Sequence, residues 1–87
     1  MSEHVNTGTV VSVRGSVVDA WFPEHLPDIF HVLKAGDSQD IVIEVNTHLS
    51  DSLVRGVALT PTQGLARGSE VVDTGYPLQV PVGKDLL

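Results

Sequence analysis

Valine is the residue that most constrains what this chain can fold into. The 87 residues include 15 valines but only 4 alanines, 2 lysines and 1 methionine. A side chain branched at Cβ is restricted in a helix and fits well on the pleated surface of a strand. Eight glycines and five prolines are spread along the chain and supply turns between short strands. The sequence therefore predicts an all-β protein.

Alternation of apolar and polar residues locates the strands. It is clearest where Ile41, Ile43 and Val45 alternate with Val42, Glu44 and Asn46, and it predicts that the first three share a buried face. At the start of the chain, Val11 and Val13 are predicted to share a face in the same way. The predicted extended segments are Thr9–Val13, Val17–Phe22, Ile29–Leu33, Ile41–Asn46, Leu53–Leu59, Glu70–Asp73 and Leu78–Val82.

The short length of the chain decides how these strands combine. Two open sheets would leave unpaired edges in so small a domain, whereas closure pairs every strand and encloses the valines. We therefore expect a small closed antiparallel β-barrel of about six strands, over residues 7–83. Residues 1–6 are expected to form a flexible tail.

Charge and composition exclude several classes of function. The chain carries 5 Lys and Arg against 11 Asp and Glu, a net charge of −6, and such a molecule repels phosphate backbones and anionic lipid headgroups. A nucleic-acid partner and direct membrane insertion are therefore not expected, and the longest apolar run is three residues. The absence of cysteine excludes disulfides, thiolate zinc sites and cysteine nucleophiles.

One segment resembles a catalytic motif. Val71-Val72-Asp73-Thr74-Gly75 has the local pattern of the aspartic proteases, some of which are small all-β homodimers. That chemistry needs two carboxylates sharing a proton and a long following chain to hold them. Only 12 residues follow Gly75, so we favour a structural turn in which this glycine has a positive φ.

Other candidate sites are weaker. Gly83-Lys84 is not a phosphate-binding loop, because Leu78 stands where the first glycine is needed and Asp85 follows the lysine. Asp19 is predicted to point outward from its strand as a solvated or turn-bonded carboxylate. Four histidines show no metal-binding spacing, and four aromatic residues are too dispersed for a base-stacking platform: His4, His25, His31, His48, Trp21, Phe22, Phe30 and Tyr76.

A series of short segments runs along nearly the whole chain: Gly8-Thr9-Val10 to Val13, Arg14-Gly15, Val17-Val18-Asp19 to Phe22, Leu26-Pro27-x-Ile29, Glu44-Val45 to His48-Leu49, Val54-Arg55, Ala58-Leu59, Thr62-x-Gly64-Leu65-x-Arg67-Gly68, Val72-Asp73-Thr74-Gly75-x-Pro77 and Val80-Pro81-Val82-Gly83. In their order and approximate spacing, these segments resemble the opening of the beta subunit of rotary ATP synthases. Ser50, Gly56 and Gln63 depart from the commonest family pattern, which indicates a divergent branch or an alternative form of the enzyme.

This resemblance implies a structural role. In the family, three beta and three alpha barrels alternate in a closed crown, so alpha subunits are the expected partners. The family's nucleotide-binding domain follows the barrel, so residues 84–87 are expected to be a stub leading to it. ATP or ADP with magnesium would bind the parent protein, and no cofactor, metal or catalytic residue is expected in this chain. The parent would couple ATP synthesis or hydrolysis to proton or sodium transport, in a peripheral complex on the cytoplasmic side of an energy-transducing membrane.

Several residues are candidates for these roles. Arg14, Arg55 and Arg67 are candidate contacts to acidic neighbours at a subunit interface, although each is as readily explained as a solvated arginine. Structural turns are predicted at Gly15, Gly64, Gly68, Asp73 and Gly75. The alternative function is an independent β-barrel that binds a ligand or an oligonucleotide.

Overall fold

The computed structural model describes residues 6–77, which form a closed antiparallel barrel. Its strands are β1 (Thr7–Arg14), β2 (Val17–Trp21), β3 (His31–Ala35), β4 (Ile41–His48), β5 (Leu53–Ala58) and β6 (Glu70–Pro77). Around the barrel they lie in the order β1-β2-β5-β4-β3-β6, and β6 pairs with β1 to close it. The predicted fold class is confirmed.

The interior is filled by one face of each strand. Ile41, Ile43 and Val45 of β4 are buried, as their alternation predicts. On β5 the pattern did not identify the buried face, and the structure shows that Val54, Gly56 and Ala58 point inward. Residues from all the strands and from the connecting segments make up the core: Val10, Val18, Ala20, Phe22, Leu33, Ala35, Ile41, Ile43, Val45, Val54, Ala58, Leu65 and Val71.

A bulge in β1 changes which of its valines face the core from what the alternation predicts. Val10 pairs with Ala20, and the register shifts before Ser12 pairs with Asp19. The extra residue resets the alternation, so Val10 and Val13 contribute to the core while Val11 does not. The prediction that Val11 and Val13 share a face was therefore wrong. The extra residue of the bulge moves each residue that precedes it on β1 to the face opposite the one that strict alternation predicts.

The third strand begins later than predicted. Phe30 has φ 74°, a left-handed conformation that regular extended backbone does not adopt, and the His31 amide donates to the Asp28 carbonyl across a turn. Residues 29–30 therefore close a turn, and β3 runs from His31 to Ala35 instead of from Ile29 to Leu33.

The last described strand is longer than predicted. β6 continues through Asp73 and Gly75 to Pro77, with a register shift against β3 between His31 and Leu33. Gly75 has φ 83° at this irregularity, so the segment bulges without leaving the sheet. The predicted extended segment Leu78–Val82 lies outside the described residues, as do residues 1–5 and 84–87.

The two ends of the barrel differ. One end, which we call the histidine end, gathers the start of β1, the segment 22–30 and the connection 49–52, and it contains His25, His31 and His48. The opposite end carries the two-residue turn Gly15–Ser16, the connection 36–40 that follows β3 and the connection 59–69 that follows β5. Within residues 6–77 there is no helix with the length and hydropathy needed to cross a membrane.

Candidate interaction surface

The filled interior of the barrel means that a partner is expected to bind on its outer surface. The largest fully buried side chains include Phe22, Leu33 and Ile43, and in a barrel of this size such side chains fill the interior. The outward residues of the strands and the two ends are therefore where a partner would be met.

The outer face of β2 and β5 alternates apolar and charged cross-strand pairs. Val17 lies opposite Val57, Asp19 opposite Arg55, and Trp21 opposite Leu53. Val57 is 36% exposed, Trp21 is 45% exposed and Leu59, just beyond β5, is 46% exposed. An ion pair flanked on both sides by accessible apolar side chains is the composition expected of a protein interface, where apolar patches are combined with arginine. We call this set the β2–β5 face.

Arg55 is engaged within its own chain. Its Nε donates to Asp19 Oδ1 at 2.9 Å and its Nη2 donates to Asp19 Oδ2 at 3.1 Å. This fork of two hydrogen bonds is the strong geometry for an arginine and a carboxylate. The pKa of Arg55 is raised above its usual value. The hydrogen bonds to Asp19 are the largest cause, and the negative charge of Asp19 is the next.

Asp19 points outward as predicted, but it is not solvated. The residue is only 8% exposed because Arg55 from the neighbouring strand covers it. The prediction was wrong because alternation gives the direction of a side chain and says nothing about a cross-strand partner 36 residues away.

The other two candidate arginines lie elsewhere. Arg14 is exposed at the end of β1 beside the Gly15–Ser16 turn, and Arg67 is exposed in the connection between β5 and β6. Neither side chain makes a hydrogen bond or ion pair with another residue in the range 6–77. The three arginines therefore do not form one cluster on the β2–β5 face, and their role at an interface stays a prediction.

A groove that the sequence did not reveal crosses the outside of β1. It has a volume of about 320 Å³ and is lined by Thr7, Gly8, Thr9, Trp21, Pro23, Gly68 and Glu70. We call it the Thr9 groove. Thr9 pairs with Trp21 on one side and with Glu70 on the other. The available signal was the outward phase of Trp21 between Ala20 and Phe22, both of which are buried.

The carboxylate of the protease-like motif is used for structure at the histidine end. Asp73 Oδ1 accepts a hydrogen bond from the Gly75 amide at 2.9 Å, and Oδ2 accepts one from Asn6 Nδ2 at 3.2 Å. The Thr74 hydroxyl donates to the Val32 carbonyl at 2.8 Å. These bonds hold the β6 irregularity and fasten Asn6, which was predicted to belong to the tail, against β6.

Histidines that are distant in sequence lie at this end of the barrel. His31 lies between two carboxylates, with Nε2 3.6 Å from Asp28 Oδ2 and Nδ1 3.5 Å from Asp73 Oδ1. His48 Nε2 donates to the Pro27 carbonyl at 2.6 Å, and the His25 carbonyl accepts from Asn6 Nδ2 at 2.7 Å. Among residues 6–77, no group of three or more His, Cys, Asp or Glu side chains is arranged to hold a metal ion.

The four glycines at which turns are predicted lie in three different structural settings. All four glycines have a positive φ: Gly15 61°, Gly64 90°, Gly68 94° and Gly75 83°. Gly15 lies in the hairpin turn, Gly64 and Gly68 in the connection before β6, and Gly75 inside β6. A Cβ at any of the four would meet no atom within 4 Å, so only their backbone conformation favours glycine.

Comparison with known proteins agrees with the similarity noted in the sequence. Residues 10–75 match the model of the ATP synthase alpha/beta family, beta-barrel domain. The chain is 56% identical over 87 residues to ATP synthase subunit beta 1 of Marinomonas sp. (strain MWYL1), covering 94% of this chain and 18% of that protein. It is 50% identical over 84 residues to ATP synthase subunit beta 2 of Chlorobium luteolum, with coverage of 97% and 18%. For ATP synthase subunit beta 2 of Polaromonas naphthalenivorans the identity is 59% over 80 residues, with coverage of 92% and 17%. The chain thus spans less than a fifth of the length of these curated relatives.

Proposed function

Because this chain belongs to the ATP synthase alpha/beta family, as its beta-barrel domain, we propose that it acts as a rigid assembly module of an ATP synthase beta subunit. The observation that carries the proposal is the identity of 50–59% to proteins named ATP synthase subunit beta over more than nine-tenths of the chain. The residues of the barrel provide no catalytic machinery of their own in this proposal, and the chemistry belongs to the parent protein.

The partners in this proposal are barrels of alpha subunits, alternating with this barrel in a closed ring. A ring of unlike neighbours needs two different contact surfaces on each member. The β2–β5 face supplies one suitable surface, since Trp21, Val57 and Leu59 expose apolar area around the fixed ion pair of Asp19 and Arg55. A barrel with a packed core can hold such a ring while other domains move.

The parent protein, in the same proposal, synthesises or hydrolyses ATP and couples this to proton or sodium transport. ATP or ADP with magnesium would bind outside this chain. The complex would be peripheral, on the cytoplasmic side of an energy-transducing membrane.

Light scattering tests the assembly role. We expect the chain to form a heteromeric complex when it is mixed with the matching alpha subunit, with no ATP hydrolysis by the chain alone. A chain that stays monomeric in the presence of the alpha subunit would mean that the barrel alone is not sufficient for assembly and needs other domains of the parent protein. Hydrolysis by the isolated chain would contradict the placement of catalysis elsewhere.

Alanine variants test the individual arginines in the same assay. Arg14→Ala and Arg67→Ala are expected to weaken the complex, because each removes an exposed charge that makes no ion pair within the described residues. Lys34→Ala is the matched control, since Lys34 is an exposed cation on β3. An arginine whose replacement changes assembly no more than Lys34→Ala is not an interface residue.

A further inference from the structure

We propose that the Thr9 groove binds the side chain of an arginine supplied by a partner protein. The groove combines an aromatic face, a carboxylate and two hydroxyl groups on one stretch of the outer surface, from Trp21, Glu70, Thr7 and Thr9. Among the residues that line it, the sequence predicted only a turn at Gly68, and neither the sequence nor the family comparison assigned a ligand to the groove.

The geometry of the sheet places the two walls at a suitable separation. Thr9 is the Cα partner of Trp21 on β2 and of Glu70 on β6, so the three residues form one row across neighbouring strands. Strands in a sheet lie about 4.8 Å apart, which puts Trp21 and Glu70 about 10 Å from each other across Thr9. Gly68 contributes no side chain to the wall beside Glu70, which keeps the groove open.

The polar groups of the groove are available to a ligand. Glu70 is exposed, and neither its carboxylate nor the hydroxyls of Thr7 and Thr9 make a hydrogen bond or ion pair with another residue in the range 6–77. The indole of Trp21 is 45% exposed although its neighbours Ala20 and Phe22 are buried. The indole and the carboxylate are therefore both accessible to a ligand.

Charge and shape select a guanidinium group. The face of an indole attracts cations, and the net charge of −6 favours cations over anions around the molecule. Arginine can stack its planar group on the ring while donating two parallel hydrogen bonds to a carboxylate, which a lysine ammonium cannot do. The hydroxyl groups of Thr7 and Thr9 accept hydrogen bonds from the remaining N–H groups of the guanidinium.

The test uses the single tryptophan of the chain, whose indole N–H gives one cross-peak in a ¹⁵N–¹H correlation spectrum. The peptide acetyl-Gly-Arg-Gly-amide is titrated into the 87-residue chain at low ionic strength, and the same peptide with citrulline in place of arginine is the uncharged control. We expect a saturable shift of the Trp21 indole together with the Thr9 and Glu70 amides, with a dissociation constant on the order of millimolar. Citrulline should bind about five-fold more weakly or worse, and added salt should weaken arginine binding.

Two variants decide whether the groove is responsible. Glu70→Gln keeps the shape and removes the charge, so arginine binding should weaken about five-fold. Glu44→Gln, on β4 opposite Val57, is the matched control and should bind like the parent chain. Equal binding of the arginine and citrulline peptides, no indole shift, or an equal loss in both variants would overturn the proposal. Arginine binding here does not require the ring proposed above, so failure of either leaves the other standing.

Discussion

At the scale of single residues, the pair Asp19 and Arg55 shows how one contact changes the behaviour of both partners. Asp19 is 8% exposed, and its carboxylate accepts two hydrogen bonds from Arg55. A carboxylate shielded from water and deprived of its donors costs free energy, so the pair stabilises the contact between β2 and β5 chiefly by avoiding that state.

We expect Arg55→Gln to lower the free energy of unfolding by the same amount from about pH 6 to pH 9. The pKa of Arg55 is raised in the folded state, so its contribution is complete below the unfolded pKa and is lost only as the pH rises through the folded one. Both values lie far above this window. Urea denaturation at several pH values measures the difference.

Arg67→Gln is the matched control for this prediction, because Arg67 is exposed and makes no ion pair among the described residues. It should unfold like the parent chain. A destabilisation by Arg55→Gln that shrinks steadily across the neutral range would show that another titrating group dominates this contact.

Gly56 is a second residue whose neighbours dictate its identity. A Cβ built on it would lie 2.6 Å from Ile43 Cγ2 and 2.7 Å from the Glu44 carbonyl oxygen. The backbone oxygen cannot move without disturbing the pairing of β4 with β5. We expect Gly56→Ala to destabilise the chain by about 1–3 kcal/mol, measured by chemical denaturation.

Val57→Thr is the control for Gly56→Ala, since it changes the next residue of β5 on the outer face while keeping a β-branched side chain. It should cost within about 0.5 kcal/mol. Equal effects of the two substitutions would mean that the strands separate easily and that the close approach does not matter for stability.

At the scale of elements, irregularities in the strands bring the side chains of the histidine end together. The shift between β3 and β6 places Asp73 opposite Leu33 and Pro77 opposite His31. Asp73 then reaches the Gly75 amide and Asn6, and its Oδ1 lies 3.5 Å from His31 Nδ1. The bulge is therefore held by side chains, and it also joins β6 to the segment before β1.

Replacing the carboxylate tests this description of β6. Asp73→Ala is expected to destabilise the chain by about 1–3 kcal/mol, because Asn6 Nδ2 loses its acceptor in a part-buried site and the Gly75 amide loses its acceptor at the surface. Thermal or urea unfolding measures the effect. Asp37→Ala, in the exposed turn before β4, is the control and should cost within about 0.5 kcal/mol.

The same variant separates the structural role from the protease hypothesis. A structural Asp73 predicts loss of stability and no peptide cleavage at acid pH in the parent chain. Pepstatin-sensitive cleavage that disappears in Asp73→Ala would instead assign catalysis to this aspartate.

At the scale of the whole molecule, closure makes the core a single cooperative unit. Ile43 is fully buried and lies opposite Leu33 on one side and Ala58 on the other, so it joins β3, β4 and β5. Total stability of a domain this small is only about 5–15 kcal/mol, so one cavity at this point removes a large fraction of it.

Ile43→Ala should therefore cost about 2–5 kcal/mol, and the milder Ile43→Val about 0.5–1.5 kcal/mol. Far-UV circular dichroism and Trp21 fluorescence should report the same transition for the parent chain, because all strands depend on one core. A similar cost for both substitutions would indicate that the barrel collapses around the missing atoms, and two separate transitions would contradict a single cooperative unit.

The sequence by itself determined the fold class and the family. Valine content, short alternating segments and breakers between them favour strands wherever they occur in space, and the residues that resemble the family lie along the chain from Gly8 to Gly83. Gly75 illustrates the limit, since its motif indicated a positive φ and yet did not show that the strand continues past it.

Only the tertiary structure decided which side chains meet. Asp19 and Arg55 are 36 residues apart, and Asn6 and Asp73 are 67 apart. The row Trp21, Thr9 and Glu70 exists because β1 lies between β2 and β6. Register across a closed barrel is set by pairing and by bulges, and one inserted residue moves every later side chain to the opposite face. Such contacts are properties of the closed sheet, and no local pattern in the chain encodes them.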